Sequence, residues 1–367
     1  MTNNEIKKRL TETICLLKIP GIGRGRFEKL VKVLGTPENV LKAPISQLDT
    51  IPGINRKIAS EIKNKADFEN ANKISTQIIQ LGWTVLFDDH PEYPELLKNI
   101  PDKPAILFRL GNPTNHDNVI GIVGTRHATE KGKQIAYNLA KKLAIDGISI
   151  VSGLAEGIDT KAHLGALETN GKTIAVLGNA MDIVYPPSNK NLYDKIIKNG
   201  TLYSEYLPGD GPHRAYFPER NRIISGLSSG VIVVEAGQKS GALITASHAL
   251  EQGRELFSVP GSPNDKSVIG TNKLIKEGAR LLTDVDDIYE TLPSLKGEIK
   301  VKRYIQESDI TETERKILDL FDSEPVQIDQ ISRFTNKPVE EILEILLALE
   351  LKGIIKEVSG KRFILAE

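Results

Sequence analysis

Short apolar runs alternate with longer stretches that have the spacing of an amphipathic helix through residues 76–290. This alternation is typical of strands buried in a parallel sheet and joined by helices on both faces. It predicts an α/β domain with a doubly wound parallel sheet. Residues 83–112 are predicted to add two strands to the edge of that sheet. The strands predicted for the sheet itself are Val119–Val123, Ser149–Val151, Thr173–Leu177, Leu202–Glu205, Val231–Glu235 and Glu255–Val259.

Residues 1–75 contain an internal repeat, in which LKIPGIGR at 17–24 matches DTIPGINR at 49–56. Each copy places an apolar-Pro-Gly-apolar turn between two helical patterns, as in a helix-hairpin-helix, whose turn presents backbone N–H groups to a DNA phosphate. The second copy departs from the first, with Asn55 in the place of a glycine. The alternative is that Pro-Gly merely ends one helix and begins the next. The residues predicted as a secondary DNA-binding set are Gly21, Gly23, Arg24, Gly53 and Arg56.

Residues 291–309, with proline, glycine and mixed charges, are predicted to be a linker to a winged-helix domain at 310–367. Three helices, Glu312–Phe321, Ile328–Phe334 and Val339–Lys352, precede two strands around a Ser359-Gly360 turn, which is a winged-helix pattern. The third helix carries four glutamates and no basic residue between positions 339 and 351. A protein-docking or regulatory role is therefore favoured over major-groove reading.

Composition places the chain among ordinary globular proteins, with 367 residues, 40% apolar and 26% charged. A single cysteine excludes disulfides within the chain and thiolate zinc sites. No apolar run approaches the roughly 18 residues of a membrane span, so no membrane association is expected and a cytoplasmic protein is predicted. Net charge is zero overall, but residues 1–70 carry a net +5 and residues 311–367 a net −4.

Polar residues follow two of the predicted strands at the point where each strand ends. Gly124, Thr125 and Arg126 combine a close backbone approach, a hydroxyl and a guanidinium that grips phosphate bidentately. The alternative for Arg126 is pairing with a carboxylate at the edge of the sheet. The next strand ends in Ser152-Gly153 before AEGID, a turn predicted to offer free N–H groups to the same edge. The alternative there is tight helix–sheet packing.

Cations and aromatic residues interleave in HRAYFPERNRIISGLS at 213–228. Guanidiniums on a backbone and rings against unstacked bases suit single-stranded nucleic acid. The alternative is that Tyr216 and Phe217 pack in the core, and Asn221 is expected to hydrogen-bond a neighbouring loop. The predicted DNA-binding set on this and the following segments is Arg214, Phe217, Arg220, Asn221, Arg222, Lys239, Ser240, Gly241 and Lys273.

Signatures of catalysis are missing from the sequence. It has no GxGxxG, no GxxxxGK[ST] and no HExxH, so no nucleotide cofactor and no metal are expected. Asp159 and His163, four residues apart, are predicted to form an ion pair on a helix face. Ser152, Ser240 and Thr245 have no evident base nearby in sequence, so a nucleophile is poorly supported.

The series GTRHAT, SGLAEGIDTKAH, TIAVLGNAMDIVYPPSN, FPERNRIISGLS, VVEAGQKSGALITASHALEQGRELFSVPG and GTNKLIKEGA resembles the DNA processing protein A family. The resemblance spans residues 88–289 in one order. It implies an extended Rossmann fold that binds single-stranded DNA, usually as a homodimer through that fold, and loads the RecA recombinase in natural transformation without catalysis. The family's DNA-contacting features fall on Arg126, on the loop with Arg214 and Phe217, and on the Ser240-Gly241 turn.

Two other functions compete with this hypothesis. An enzyme acting on a nucleotide or nucleoside phosphate would fit a related Rossmann superfamily, but its Gly-Gly-x-Gly-Thr-x-x-Glu signature is replaced by VVEAGQKSGALITA. A regulator that reads double-stranded DNA through the winged helix is disfavoured by the acidic third helix. A non-enzymatic protein that binds single-stranded DNA is therefore the favoured function.

Overall fold

The computed structural model describes residues 2–114, 116, 118–295, 311–318, 320–321, 325–351, 354–358 and 360–365. The chain divides into two compact units, Met1–Gly297 and Glu298–Glu367. Residues 296–309 of the predicted linker and Ser359 of the predicted turn lie outside the described residues. No helix among the described residues is long and apolar enough to cross a bilayer.

The first unit begins with a helical head at residues 2–80. Thr2 and Glu5 form a capping box that starts the first helix. The two Pro-Gly turns expected from the repeat are present, with Gly21 at φ +85° and Gly53 at φ +89°, values that favour glycine. The helices of the head are α1 Asn3–Leu17, α2 Arg24–Leu34, α3 Pro37–Lys42, α4 Ile45–Leu48, α5 Arg56–Asn64 and α6 Phe68–Gln80.

The body that follows is a mostly parallel α/β sheet, as predicted. The predicted strands are found within two residues of their expected bounds, because each is a short run of mostly buried residues. The two-residue strand β9 was not predicted. The strands are β1 Thr84–Leu86, β2 Leu107–Gly111, β3 Val119–Val123, β4 Ser149–Ser152, β5 Thr173–Val176, β6 Thr201–Ser204, β7 Gly230–Val233, β8 Glu255–Ser258 and β9 Arg280–Leu281.

Within the described residues the sheet order is β1-β2-β6-β5-β4-β3-β7-β8-β9. Strands β3 to β9 pair in parallel, whereas β1 and β2 form the predicted two-strand addition at one edge and pair antiparallel. The helices of the body are α7 Glu95–Lys98, α8 Glu130–Ile145, α9 Ile158–Glu168, α10 Lys190–Asn199, α11 Tyr216–Leu227, α12 Ala242–Glu251, α13 Ile269–Lys276 and α14 Asp286–Thr291.

Separate hydrophobic clusters cover the two faces of the sheet. Ala136 and Leu139 of α8 and Ala162 of α9 pack on one face, whereas Ile223 of α11 and Ala246 of α12 pack on the other. The head shares a third cluster with the sheet, in which residues of α1 and α6 meet the β1–β2 edge. Burying this shared surface stabilises the attachment of the head, and the head and the body therefore belong to one compact unit.

The second unit has the predicted winged-helix arrangement. Ile331, Ile342, Leu346 and Phe363 lie in its core. Its described elements are α15 Glu312–Leu318, β10 Val326–Gln327, α16 Ile328–Thr335, α17 Val339–Leu351, β11 Ile355–Val358 and β12 Arg362–Leu365, with the sheet order β10-β12-β11.

Candidate nucleic-acid interface

Strand β3 marks the point at which the order of the sheet reverses. The chain passes from β3 to β4 on one side, and later returns to β7 on the other side. Ligands of open α/β sheets bind in the crevice at the carboxyl ends of the strands at such a point. A cleft opens there, between these strand ends, α11 and the turn before α12. Of the predicted site residues, its lining includes Gly124, Thr125, Arg126, Arg214, Phe217, Arg220, Asn221, Ser240 and Gly241.

Arg126 and Phe217 meet at the centre of this cleft. The Arg126 guanidinium carbon lies 4.9 Å from the centroid of the Phe217 ring. The Arg126 side chain is exposed, and among the described residues it has no carboxylate within ion-pair distance. Phe217 is only partly buried, and the alternative of core packing fits Tyr216 instead, which packs against a core cluster and stacks on Tyr206. An unpaired cation beside an accessible ring can take a phosphate and a base together.

Two loops of the cleft are held by hydrogen bonds. The Thr125 hydroxyl accepts from the His127 N–H at 3.2 Å, and its own proton remains available to a ligand. The Asn221 side-chain amide donates to the Gly241 carbonyl at 3.3 Å, which confirms the expected bond to a neighbouring loop. This bond connects α11 to the Ser240-Gly241 turn on the opposite wall.

The remaining predicted cations differ in position. Arg214 is exposed on the loop that leads into α11, and Lys239 is exposed beside Ser240. Lys273 does not line the cleft, and its ammonium lies 3.5 Å from the Glu277 carboxylate on the exposed side of α13. The structure therefore does not bring Lys273 into the candidate site.

Ser152 and Gly153 are both buried, and the prediction that the Ser152 hydroxyl faces a ligand is wrong. Gly153 lines a small recess together with Arg126 and Phe217, so DNA contact by Gly153 stays a prediction. The Ser152 hydroxyl donates to the Ile122 carbonyl at 2.6 Å inside the sheet. The N–H groups of Gly153 and Ala155 donate to the Asp159 carboxylate at 3.1 and 3.3 Å. This turn therefore satisfies its donors internally, and the alternative of tight packing describes it better.

Arg220 is a second correction, because it lies in the floor of the cleft and is only 3% exposed. It donates to the Gly153 carbonyl at 2.7 Å and to the Val176 carbonyl, so it ties α11 to the ends of β4 and β5. Burial lowers the pKa of Arg220 to about 10, and the nearby Asp159 opposes that shift. Arg220 remains a cation at neutral pH, but it acts as an anchor rather than as an exposed DNA contact.

Arg222 is the third correction and is 1% exposed. Its two terminal nitrogens donate to the Glu205 carboxylate at 3.0 and 2.8 Å, and its Nε lies 3.0 Å from Asp102. A guanidinium that is enclosed and paired twice has no surface to offer to a phosphate. Arg222 is therefore a structural residue of α11.

Asp159 and His163 do not form the predicted ion pair, because each of these buried side chains bonds to other partners. The Thr173 hydroxyl donates to the Ile150 carbonyl, and its oxygen therefore accepts from Nδ1–H of His163 at 2.7 Å. Burial lowers the pKa of His163 to about 3, with the Arg220 charge adding to the shift. Burial raises the pKa of Asp159, although the Arg220 charge and two backbone N–H groups oppose that rise.

The residues of the head that were predicted to bind DNA differ in exposure. Arg24 is turned toward the body, where its Nη1 lies 3.1 Å from Glu205 and 3.2 Å from Glu219, so the prediction that it faces DNA is wrong. The Asn55 side chain accepts from the Ile58 N–H at 3.0 Å and occupies a donor of the second hairpin. Gly21, Gly23, Gly53 and Arg56 are exposed, and DNA contact by them stays a prediction.

Sequence reasoning missed two residues that shape the cleft. The Tyr185 ring lies 5.5 Å from the Phe217 ring, and Gly178 touches the same ring, since a Cβ at that position would come within 2.7 Å of it. The signal available was an aromatic residue in a proline-rich loop after a strand. In the head, Arg26 donates to the carbonyls of Gly21 and Gly53 and links the two turns. No feature of the sequence distinguishes Arg26 from the neighbouring arginine.

Glu235 is buried behind β7, and its carboxylate accepts from the N–H and hydroxyl of Thr129 at the start of α8. It therefore serves as a structural acceptor. Among the described residues, no group of three or more His, Cys, Asp or Glu side chains is placed to hold a metal ion.

Known protein families match each of the three domains of the chain. Residues 84–293 match the family described as DNA recombination-mediator protein A. Residues 306–361 match the DprA winged helix domain, and residues 15–67 match a SAM-like helix-hairpin-helix tandem.

Individual relatives agree with these matches. Protein Smf of Synechocystis is 34% identical over 94% of this chain and 96% of its own length. The X-ray structure of DNA processing protein A from Streptococcus pneumoniae aligns with a TM-score of 0.66 at 35% identity, over 79% of this chain and 98% of that one. A structure of DNA processing protein A from Helicobacter pylori, described for its single-stranded DNA binding mode, aligns with a TM-score of 0.52 at 32% identity, over 58% of this chain and 96% of that one. The matches thus cover the helix-hairpin-helix head, the mostly parallel sheet and the winged helix. The chain belongs to the DNA processing protein A (DprA/Smf) family.

Proposed function

We propose that the chain binds single-stranded DNA in the β3 cleft as a non-enzymatic recombination mediator. The observation that carries the proposal is the Arg126–Phe217 pair. Its exposed guanidinium, which has no ion pair in the described part of the chain, lies 4.9 Å from a partly exposed ring. Arg214 adds a second exposed cation on the same cleft. Guanidiniums on the backbone with a ring for stacking suit a single strand, whose bases are free to leave the stack.

Family membership supports the wider role. Members that act in DNA processing, and the Helicobacter pylori protein described as binding single-stranded DNA, share the fold. We therefore propose that this protein, as a homodimer through its Rossmann-like domain, protects incoming strands and loads RecA during transformation in the cytoplasm. The nucleotide-enzyme alternative has less support. Ser240 and Thr245 line the cleft, but the Ser152 hydroxyl and the His163 ring are buried, and the Gly-Gly-x-Gly-Thr-x-x-Glu signature is replaced in the sequence.

The test is fluorescence anisotropy of labelled single- and double-stranded oligonucleotides over a salt series, with wild type and Arg126→Ala. We expect wild type to prefer the single strand. Arg126→Ala should weaken binding to all sequences about equally and reduce the salt slope by roughly 0.7, the contribution of one phosphate contact to a single strand. Unchanged affinity and slope in Arg126→Ala would contradict the assignment of the cleft.

A further inference from the structure

Arg24 reaches from the head to the body. It is the first residue of α2, yet its Nη1 lies 3.1 Å from Oε1 of Glu205 and 3.2 Å from Oε2 of Glu219. Glu205 follows strand β6 directly, and Glu219 lies in the first turn of α11. One guanidinium therefore joins the head to two separate elements of the body.

The carboxylate of Glu205 is shared between two arginines. Its side chain is 8% exposed, and it accepts from both terminal nitrogens of Arg222 as well as lying beside Arg24. Arg222 belongs to α11, the helix that also carries Phe217. The head and α11 are thus held by the same buried anion, so a loss of Arg24 removes one of the two cations that balance Glu205.

Glu219 shows which face of α11 the head holds. It lies two residues after Phe217, about 200° around a helix from it, and it is not among the residues that line the cleft. Arg24 therefore holds the face of α11 that lies away from Phe217, through a carboxylate that is 44% exposed. Arg24 itself is engaged with both carboxylates, which leaves it poorly placed to bind a phosphate directly.

From these contacts we infer that Arg24 is a positioning residue, through which the helix-hairpin-helix head sets the placement of α11, and with it Phe217, for single-stranded DNA. The inference rests on the proposed function of the cleft. It assigns to the head a role in DNA binding that needs no contact between the head and DNA.

The experiment is a double-mutant cycle of Arg24→Gln and Glu219→Gln in the full chain, read by anisotropy with a labelled oligothymidylate over a salt series. We expect Arg24→Gln to weaken binding about threefold to tenfold, as for contacting residues that couple. The salt slope should stay at the wild-type value, because no phosphate contact is lost. In the Glu219→Gln background the effect of Arg24→Gln should be clearly smaller.

Lys29→Gln is the matched control, since it removes a positive charge from the same helix. Lys29 is exposed and has no ion pair among the described residues, so we expect its affinity to stay within about twofold of wild type. Thermal unfolding of every variant checks the fold. Arg24→Lys, which keeps the charge, should recover part of the affinity even if Arg24→Gln proves unstable.

Three results would overturn the inference. Arg24→Gln could lower the salt slope and have the same effect in both backgrounds, as expected of a direct phosphate contact. It could leave affinity unchanged, or it could lower the unfolding temperature alone, as expected of a pair that only holds the fold. Failure of wild type to bind the single strand, or of Arg126→Ala to weaken binding, would instead contradict the proposed function itself.

Discussion

At the scale of single residues, the cleft combines a charge and a ring whose contributions can be separated. The Phe217 ring contacts Gly178, Tyr185 and Arg126, and it stays partly exposed. Stacking of a base on such a ring is worth about 1–3 kcal/mol and does not depend on sequence or on released counterions.

Phe217→Leu should therefore weaken single-strand binding by roughly tenfold while leaving the salt slope unchanged. This result would be the converse of that expected for Arg126→Ala, which lowers the slope. Anisotropy over the same salt series measures both. Phe68→Leu, in a ring that is 50% exposed on the head, is the control and should bind as wild type does. A lowered slope in Phe217→Leu would mean that the ring mainly positions Arg126.

His163 permits a prediction on stability. Its pKa is lowered to about 3 by burial, whereas an unfolded histidine titrates near 6.5. Between these values unfolding takes up a proton, so the contribution of His163 to stability is present above pH 6.5 and is lost as the pH falls. The loss should be about 1.4 kcal/mol per pH unit.

Urea unfolding of wild type and His163→Gln between pH 7 and pH 4 measures this contribution. The amide of glutamine can still donate to Thr173, so the variant should be less stable at pH 7 and should lose less stability on acidification. The raised pKa of Asp159 acts with the opposite sign, but it is common to both proteins and cancels in the difference. Parallel curves would show that His163 is not the titrating group.

At the scale of elements, the arginines of α11 and of the loop before it differ in burial. Arg220 and Arg222 fix the helix to the strand ends and to Glu205, and Arg214 stands exposed on the loop before it. The helix is thus anchored on its inner side, and its N-terminal end faces the cleft. Arginines of one short segment therefore differ in burial, and DNA binding is expected only of the exposed one.

Arg222→Gln should lower the free energy of unfolding by about 3–5 kcal/mol, because it leaves the buried Glu205 carboxylate without its main partner. The salt slope of its DNA affinity, measured under conditions in which the variant is folded, should remain that of wild type. Arg214→Gln should show the reverse pattern, with unchanged stability and a slope smaller by roughly 0.7. Urea unfolding and anisotropy on both variants make the comparison. A reduced slope in Arg222→Gln would contradict the structural role.

At the scale of the whole molecule, the cleft residues lie in the first compact unit, Met1–Gly297. The second unit presents an acidic third helix, with Leu343 and Leu347 exposed beside Glu344. Such a surface disfavours contact with phosphates and suits the predicted protein-docking role.

A chain truncated after residue 297 should therefore keep its fold and bind single strands within about twofold of the full chain. Thermal unfolding and anisotropy test this expectation. The truncated chain should also keep the same preference over double strands. A large loss of single-strand affinity would mean that the winged helix contributes to the site.

Much of the fold follows from local patterns, and the strands show why. A run such as Val119–Val123 is apolar throughout, so its burial on both faces can be predicted from its own residues. The Gly124-Thr125-Arg126 end and the repeated Pro-Gly turns are equally local features. The short strand β9 was missed because two exposed residues, Arg280 and Leu281, carry no pattern.

The order of the elements, the parallel sheet, the two hairpin turns and the edge with the candidate site could all be predicted, because the signals for them lie in residues close together in the chain. Which arginines reach that candidate site could not be predicted from such local signals. Arg126 and Arg222 are alike as side chains, but one is exposed and the other is enclosed by Glu205 and Asp102 from distant segments. Burial and pairing depend on what packs over a residue, and that is set by contacts far apart in sequence.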